Sequence, residues 1–149
     1  MPSMAAATST DVFDCTVPQF WKIISDYENY PKFLPEVKGC HVVEEKGNRK
    51  LVELKINLIK NFSYSLWMTE TEPSSIVWEF AHGDLFKQMN GSWKLEDEAG
   101  KTRATYTLDA KMGLFVPGPI AKGLIEVNLP NMMSSYHKRV EELYVRPSA

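Results

Sequence analysis

The sequence predicts an α+β fold, in which helices pack on one side of a curved antiparallel sheet. Residues alternate strictly between apolar and polar from Lys101 to Met112, as expected of a strand with one buried side and one solvent-facing side. Several earlier segments alternate in the same way and are separated by short turns. A last segment, from Pro119 to Tyr144, carries apolar residues at the three- and four-residue spacing of a helix. Strands followed by one long helix favour α+β over an alternating α/β fold.

The N-terminal part of the chain predicts one strand and one or two short helices. Small and β-branched residues from Ala5 to Cys15 indicate the strand. Thr16 and Gln19 then have the spacing of a capping box, which favours a helix that starts at Val17 and continues to Tyr27. The dipeptide Tyr30–Pro31 either ends this helix or starts a second short one, because the residue before a proline disfavours the helical conformation.

Five further strands are predicted before the strand at Lys101–Met112. The connections between them are too short for crossovers, so successive strands are expected to pair as hairpins in an antiparallel meander. Together with the first strand and the strand at Lys101–Met112, they give a sheet of about seven strands. The five strands are predicted at Val37–Glu45, Lys50–Leu58, Asn61–Thr71, Ser75–Ala81 and Phe86–Glu96.

The long C-terminal helix is predicted to be kinked or divided. Pro130 lies inside its apolar pattern and cannot donate a backbone hydrogen bond to the carbonyl of Glu126. The sequence leaves two alternatives open: one helix with a kink at Pro130, or two helices that meet at Asn128–Leu129.

Length and composition are those of one globular domain, expected to span residues 1–149. The net charge is −2 and basic residues form no cluster, which gives no reason to expect nucleic acid as a partner. No stretch is apolar enough to cross a bilayer, and residues 1–10 lack the features of a secretory signal. We therefore expect a cytoplasmic protein in which Cys15 and Cys40 are reduced.

Four parts of the sequence resemble a known family when taken in order: the capped helix Val17–Tyr27, the segment Tyr30–Pro35, Gly91–Ser92–Trp93 in a late strand, and the tail Leu129–Glu141. The chain resembles the helix-grip fold of the START and birch-pollen-allergen superfamily, and within it the polyketide cyclase/dehydrase and coenzyme Q-binding family. The resemblance implies a deep apolar cavity between sheet and long helix that takes a lipid, a quinone or a polyketide-like molecule. It implies no single chemistry, because this fold hosts carriers, receptors and cyclases.

The apolar side of the predicted sheet and the last helix are expected to line this cavity. Several of their side chains are large aromatics or methionines, and methionine adapts to guests of irregular shape. Tyr64 and Tyr106 are the polar exceptions, and each phenol is expected to bond backbone, water or a polar oxygen of the ligand. The candidate ligand-binding residues are Phe62, Tyr64, Leu66, Met68, Trp78, Phe80, Met89, Trp93, Tyr106, Leu108, Met112, Leu124, Leu129 and Met132.

No catalytic residue, metal site or cofactor is predicted. The three histidines are scattered along the chain, and the two cysteines lack the spacing of a metal-binding pair. Ser134 and Ser135 do not lie on the strand-turn-helix elbow that activates a nucleophilic serine.

Three functions stay open. The apolar inner face favours a non-catalytic binder or carrier of a hydrophobic small molecule. A polyketide cyclase or dehydratase is an alternative that would need a general base near a carbonyl group of its substrate. The other alternative is an interaction module of a ribosome-associated kind, in which Trp67 on the outer face contacts a protein partner.

Overall fold

A computed structural model describes residues 4–58, 60–113 and 116–145, and only the backbone at residues 4, 5, 124 and 125. Seven strands form one antiparallel sheet, as predicted. Helical segments lie before the second strand and after the last. The strands are β1 Met4–Phe13, β2 Val37–Lys46, β3 Arg49–Leu58, β4 Lys60–Thr71, β5 Ser75–Gly83, β6 Phe86–Glu98 and β7 Lys101–Met112. The helices are α1 Val17–Ile24, a 3-10 helix at Tyr27–Lys32, α2 Gly118–Lys122 and α3 Leu129–Val140.

The strand order is β1-β7-β6-β5-β4-β3-β2. Strands β2 to β7 therefore form a meander, and β1 pairs with β7 at the edge opposite β2. Met4 pairs with Lys111 and Phe13 with Thr102, which places the two ends of the strand series side by side. Two register shifts in the β2–β3 pair and one in the β4–β5 pair interrupt the ladders. Such bulges increase the local twist and help a sheet to curve.

The predicted capping box is confirmed at the start of α1. The backbone N–H of Gln19 donates to Thr16 Oγ1 at 3.3 Å, and the backbone N–H of Thr16 donates to Gln19 Oε1 at 2.9 Å. Phe20 and Ile24 on the inner side of α1 are fully buried. The Phe20 ring meets Trp93 of β6 edge-on, with 5.4 Å between ring centroids, so α1 covers one end of the sheet's inner face.

The C-terminal helical segment changes its hydrogen-bonding pattern where the sequence predicted an interruption. A π-helical turn occupies Gly123–Val127 between α2 and α3, and another follows α3 at Glu141–Val145. Pro130 lies in the first turn of α3, where its missing N–H breaks no helical hydrogen bond. The interruption lies at Asn128–Leu129, as one alternative predicted, but Asn128 keeps helical backbone angles (φ −76°, ψ −19°), so the hydrogen bonding is divided while the backbone stays helical.

The core lies between the inner face of the sheet and these helices. Tyr136 of α3 is 2% exposed, and its ring meets Trp93 with 5.1 Å between ring centroids. Within the described ranges, no helix has both the length and the apolar character to cross a bilayer.

Candidate functional site

A cavity of about 140 Å³, partly open to solvent, lies between the inner face of the sheet and the start of α3. Strands β3 to β7 supply most of its wall, and the 3-10 helix, the loop before β2 and α3 supply the rest. Its surface is mainly apolar. A dry apolar cavity of roughly 150 Å³ in another protein is known to hold benzene, so this space has room for one small ring. Ligand pockets for larger molecules usually measure roughly 300–1,000 Å³, so a larger guest would need the wall to open.

Most of the candidate residues predicted from the sequence lie on the wall of this cavity. They do so because β4 to β7 turn alternate side chains to the same face of the sheet. The predicted residues that line the cavity are Phe62, Tyr64, Leu66, Met68, Trp78, Met89, Trp93, Tyr106, Leu108, Leu129 and Met132.

Three candidates are not on the described wall. Met112 is fully buried and pairs with Phe86 at the end of the β6–β7 ladder, where it belongs to the packed core. Phe80 pairs with Leu66 beside the register shift between β4 and β5, and its ring centroid lies 6.4 Å from that of Phe86, which lines the cavity. The side chain of Leu124 lies outside the described residues.

The structure adds wall residues that the site prediction lacked. Val52, Leu54 and Ile56 of β3 have the alternation of an inward face, and Tyr136 lies on the apolar side of the last helix, so the sequence carried a signal for each. Glu36 had no such signal, because it follows a proline in a loop. Asn128 lies beside Pro130, where an interrupted helix can present polar groups at the mouth of a cavity.

Glu36 and Asn128 meet at the cavity wall, although they are 92 residues apart in the chain. The side-chain amide of Asn128 donates a hydrogen bond to Glu36 Oε2 at 3.1 Å. The contact joins the loop before β2 to the start of α3. It therefore links the two parts of the chain that face each other across the cavity.

Tyr64 and Tyr106 have hydroxyl groups without a hydrogen-bond partner among the described residues. Both side chains are only partly buried because they face the cavity. Burial raises the pKa of each phenol above its ordinary range, and the negative charge of Glu36 raises the pKa of Tyr106 further. Both groups therefore stay protonated at neutral pH and can donate hydrogen bonds to a guest.

The hydroxyl group of Tyr27, which also lies on the cavity wall, already has a hydrogen-bond partner. The Tyr27 hydroxyl donates to Glu70 Oε2 at 2.6 Å, and Lys50 Nζ lies 3.0 Å from Glu70 Oε1. Burial and the hydrogen bond to Glu70 raise the pKa of Tyr27 above its ordinary range. This network fixes the 3-10 helix to β3 and β4 and leaves no free donor on Tyr27 for a ligand.

Among the described residues, His137 is paired with a carboxylate, and Cys15 and Cys40 are buried. Across the part of the chain that the structure describes, no three His, Cys, Asp or Glu side chains cluster as metal ligands do. His137 is paired instead with Asp11 at 2.8 Å and stacks on Phe13. Both cysteines are free thiols and buried, and burial raises the pKa of Cys15 to about 11 and of Cys40 to about 12.

Trp67, the proposed anchor for a protein partner, lies on the outer side of β4. Its ring is half-buried, because the guanidinium of Arg49 lies 4.6 Å and the Lys46 ammonium 5.7 Å from its centroid. The indole face is therefore engaged within this chain in cation–π contacts.

A curved seven-stranded sheet closed by a C-terminal helical segment over an apolar cavity is the helix-grip arrangement of START-like proteins. Residues 14–135 match the family described as polyketide cyclase / dehydrase and lipid transport, and the chain belongs to that family. The resemblance predicted from the sequence is thus confirmed.

Individual relatives agree with this assignment. Over 147 residues the chain is 24% identical to a Streptomyces cyaneus protein that carries the provisional name polyketide cyclase, covering 94% of this chain and 97% of that protein. A START superfamily protein from Mycobacterium smegmatis superposes with a TM-score of 0.80 at 23% identity, covering 94% and 98% of the two chains. Zhui aromatase/cyclase from Streptomyces sp. R1128 superposes with a TM-score of 0.82 at 13% identity, covering 97% of this chain and 99% of that chain. At these identities the two structures show a shared fold.

Proposed function

We propose that this protein binds a hydrophobic small molecule in the cavity between the sheet and α3, without catalysing a reaction on it. The observation that supports the proposal most is a largely apolar cavity onto which two phenols, Tyr64 and Tyr106, present hydroxyl groups with no hydrogen-bond partner among the described residues. A packed core would leave neither the space nor the unpaired hydroxyl groups. A single domain over residues 1–149 and a cytoplasmic location belong to the same proposal.

The free phenols suggest how a guest would be oriented. Transfer of the apolar part of a ligand from water into the cavity is favourable in proportion to the area buried. A buried polar atom of the ligand would lose its hydrogen bonds to water, and the hydroxyl groups of Tyr64 and Tyr106 can replace them. The apolar wall would then supply affinity and the phenols would supply orientation.

Binding of small aromatic probes tests the proposal. Saturation-transfer NMR and calorimetry with benzyl alcohol are expected to show saturable binding to the wild-type protein. Leu108→Phe places a ring in the cavity and is expected to weaken this binding by at least about fivefold, because a guest and the new ring compete for one space. Val77→Phe is the matched control, since Val77 is 46% exposed on β5 and should leave binding unchanged.

The result would count against the proposal if benzyl alcohol bound Leu108→Phe as tightly as the wild type, or bound neither protein. Native mass spectrometry of the purified protein provides an independent readout. A co-purified apolar molecule that is present in the wild type and in Val77→Phe, and lost from Leu108→Phe, is the expected pattern.

A polyketide cyclase is the second candidate. The family and the Streptomyces cyaneus relative suggest it, and Glu36 supplies one carboxylate on the cavity wall that could act as a general base. A cyclase would convert a linear poly-β-ketone into a cyclic product, and Glu36→Gln would remove that conversion. Turnover detected by mass spectrometry that depends on Glu36 would replace the non-catalytic proposal.

A further inference from the structure

Glu36 is the one carboxylate on the described wall of the cavity, and no lysine, arginine or histidine lies on that wall. Its Oε2 atom accepts the hydrogen bond from Asn128, while no described group donates to Oε1. Nor does any described cation lie within ion-pair distance of Glu36. The wall therefore carries one carboxylate that has no counter-ion within residues 4–58, 60–113 and 116–145.

The rest of the wall adds to this negative character. Aromatic rings carry partial negative charge on their faces, and several rings surround the cavity, among them Trp78, Trp93 and Tyr106. A cation that lies against such faces is attracted to them, most strongly where water is excluded. An anion in the same place would meet the ring faces and Glu36, with only the neutral hydroxyl donors of Tyr64 and Tyr106 to offset them.

The charge of Glu36 reaches into the cavity. Burial raises the pKa of Tyr106 and of Tyr136, and the carboxylate of Glu36 contributes a further rise in both. A group that alters these phenols electrostatically is close enough to act on a guest beside them. Lys50, which lies 5.8 Å from the centroid of the Tyr27 ring in the 3-10 helix, is already paired with Glu70 at 3.0 Å.

We propose that the cavity selects hydrophobic amines, with the ammonium group on the free Oε1 atom of Glu36 and the apolar part among the aromatic side chains, and that it rejects carboxylates of the same shape. This inference rests on the proposed function and defines the class of molecule that the site takes. Burial of an ammonium group is unfavourable unless a carboxylate pairs with it, and Glu36 supplies that partner. Burial of a carboxylate here would leave two like charges unpaired.

A matched series of three ligands tests this selectivity in the unaltered protein. Benzylamine, benzyl alcohol and benzoate share one ring of a size that suits the cavity, and at pH 7 they carry positive, zero and negative charge. In calorimetry at low salt we expect benzylamine to bind most tightly, benzyl alcohol less tightly and benzoate least tightly. The amine should bind at least about tenfold more tightly than benzoate, because one ion pair replaces one like-charge contact.

The variant Glu36→Gln separates charge from shape. Glutamine retains a side-chain oxygen that can accept the hydrogen bond of Asn128, so thermal unfolding should change little. The preference for amine over benzoate should fall by at least about fivefold while affinity for benzyl alcohol is retained. Glu45→Gln is the matched control, since it removes the same charge from an exposed site on β2 and should leave the ranking as in the wild type.

The outcomes distinguish this inference from the proposed function. If benzyl alcohol binds and the amine binds no more tightly than benzoate, the inference is overturned and the proposed function stands. If none of the three ligands binds, both are overturned. An amine preference that persists unchanged in Glu36→Gln also overturns the inference, because the selection would then come from another part of the protein.

Discussion

Gly91 is the residue at which β6 comes closest to its neighbours. A methyl group at this position would lie 2.3 Å from the carbonyl oxygen of Thr107 and 2.6 Å from the indole of Trp78. The backbone oxygen of β7 cannot move aside without disturbing the ladder. The missing side chain also leaves room for the Trp78 ring, which forms part of the cavity wall.

Gly91→Ala is therefore expected to lower the free energy of unfolding by about 2–3 kcal/mol, as overpacking of a well-packed site does. Urea denaturation followed by circular dichroism measures the change. Gly118→Ala is the control, because no atom lies within 4 Å of the added methyl group and the change should be close to neutral. Equal stability of the two variants would contradict the close contact at Gly91.

The buried thiols predict a loss of stability in alkali. Burial raises the pKa of Cys15 from 9.0 to about 11 and of Cys40 from 9.0 to about 12. A raised pKa means that the folded state retains the proton longer than the unfolded state. The stabilisation is thus complete below pH 9 and is lost as the pH rises toward 11–12.

Between pH 8 and pH 9.5 we expect the free energy of unfolding to fall by on the order of 1 kcal/mol for each thiol. The double variant Cys15→Ala/Cys40→Ala should show a smaller fall over the same interval, because only the phenols remain to titrate. An identical fall in both proteins would show that the thiols are not the cause. Neither thiol should react with Ellman's reagent in the folded protein at pH 8.

Among the elements, the 3-10 helix depends most on a single polar network. It is six residues long, too short to be stable alone, and the Tyr27 hydroxyl joins it to Glu70 of β4. Lys50 of β3 completes the network at 3.0 Å, and Glu70 and Lys50 are 14% and 24% exposed. The partial burial of this ion pair makes its hydrogen bonds stronger than those of a surface pair.

Tyr27→Phe is expected to lower the free energy of unfolding by about 2 kcal/mol, since it removes a hydrogen bond to a charged, largely buried group. Tyr144→Phe is the matched control: it removes a 3.3 Å hydrogen bond to the carbonyl of Gln19, and we expect a change below about 0.5 kcal/mol. Chemical denaturation of both variants measures the difference. Equal effects would show that the network does not hold the 3-10 helix.

At the scale of the whole molecule, the cavity is a void that unfolding removes. Pressure favours the state of smaller volume, so an unfilled cavity makes the volume change of unfolding more negative. Leu108→Phe is expected to make that volume change less negative than in the wild type, measured by fluorescence under hydrostatic pressure. Val77→Phe should behave as the wild type, because its side chain lies on the outer face of the sheet.

The strands and most of the cavity wall could be predicted because a sheet with one buried face repeats every two residues in the sequence. Phe80 does not line the described cavity although it keeps the alternation of β5, and a register shift between β4 and β5 lies beside it. Such a shift follows from the pairing of two strands and leaves no local trace in the sequence, so the role of Phe80 in binding stays a prediction. Glu36 and Asn128 could not be paired from the sequence, because only the packing of α3 over the sheet brings them together. Local patterns therefore predict faces, and the contacts between distant segments need the structure.

The pairing of β1 with β7 joins Met4–Phe13 to Lys101–Met112. A ribosome makes β1 first and adds roughly 5–20 residues each second, so this strand waits on the order of 5–20 s for its partner. Until then β1 has no strand to pair with, and an unpaired strand is a template for pairing with another chain. Closure of this fold consequently waits until the segment that forms β7 has been synthesised.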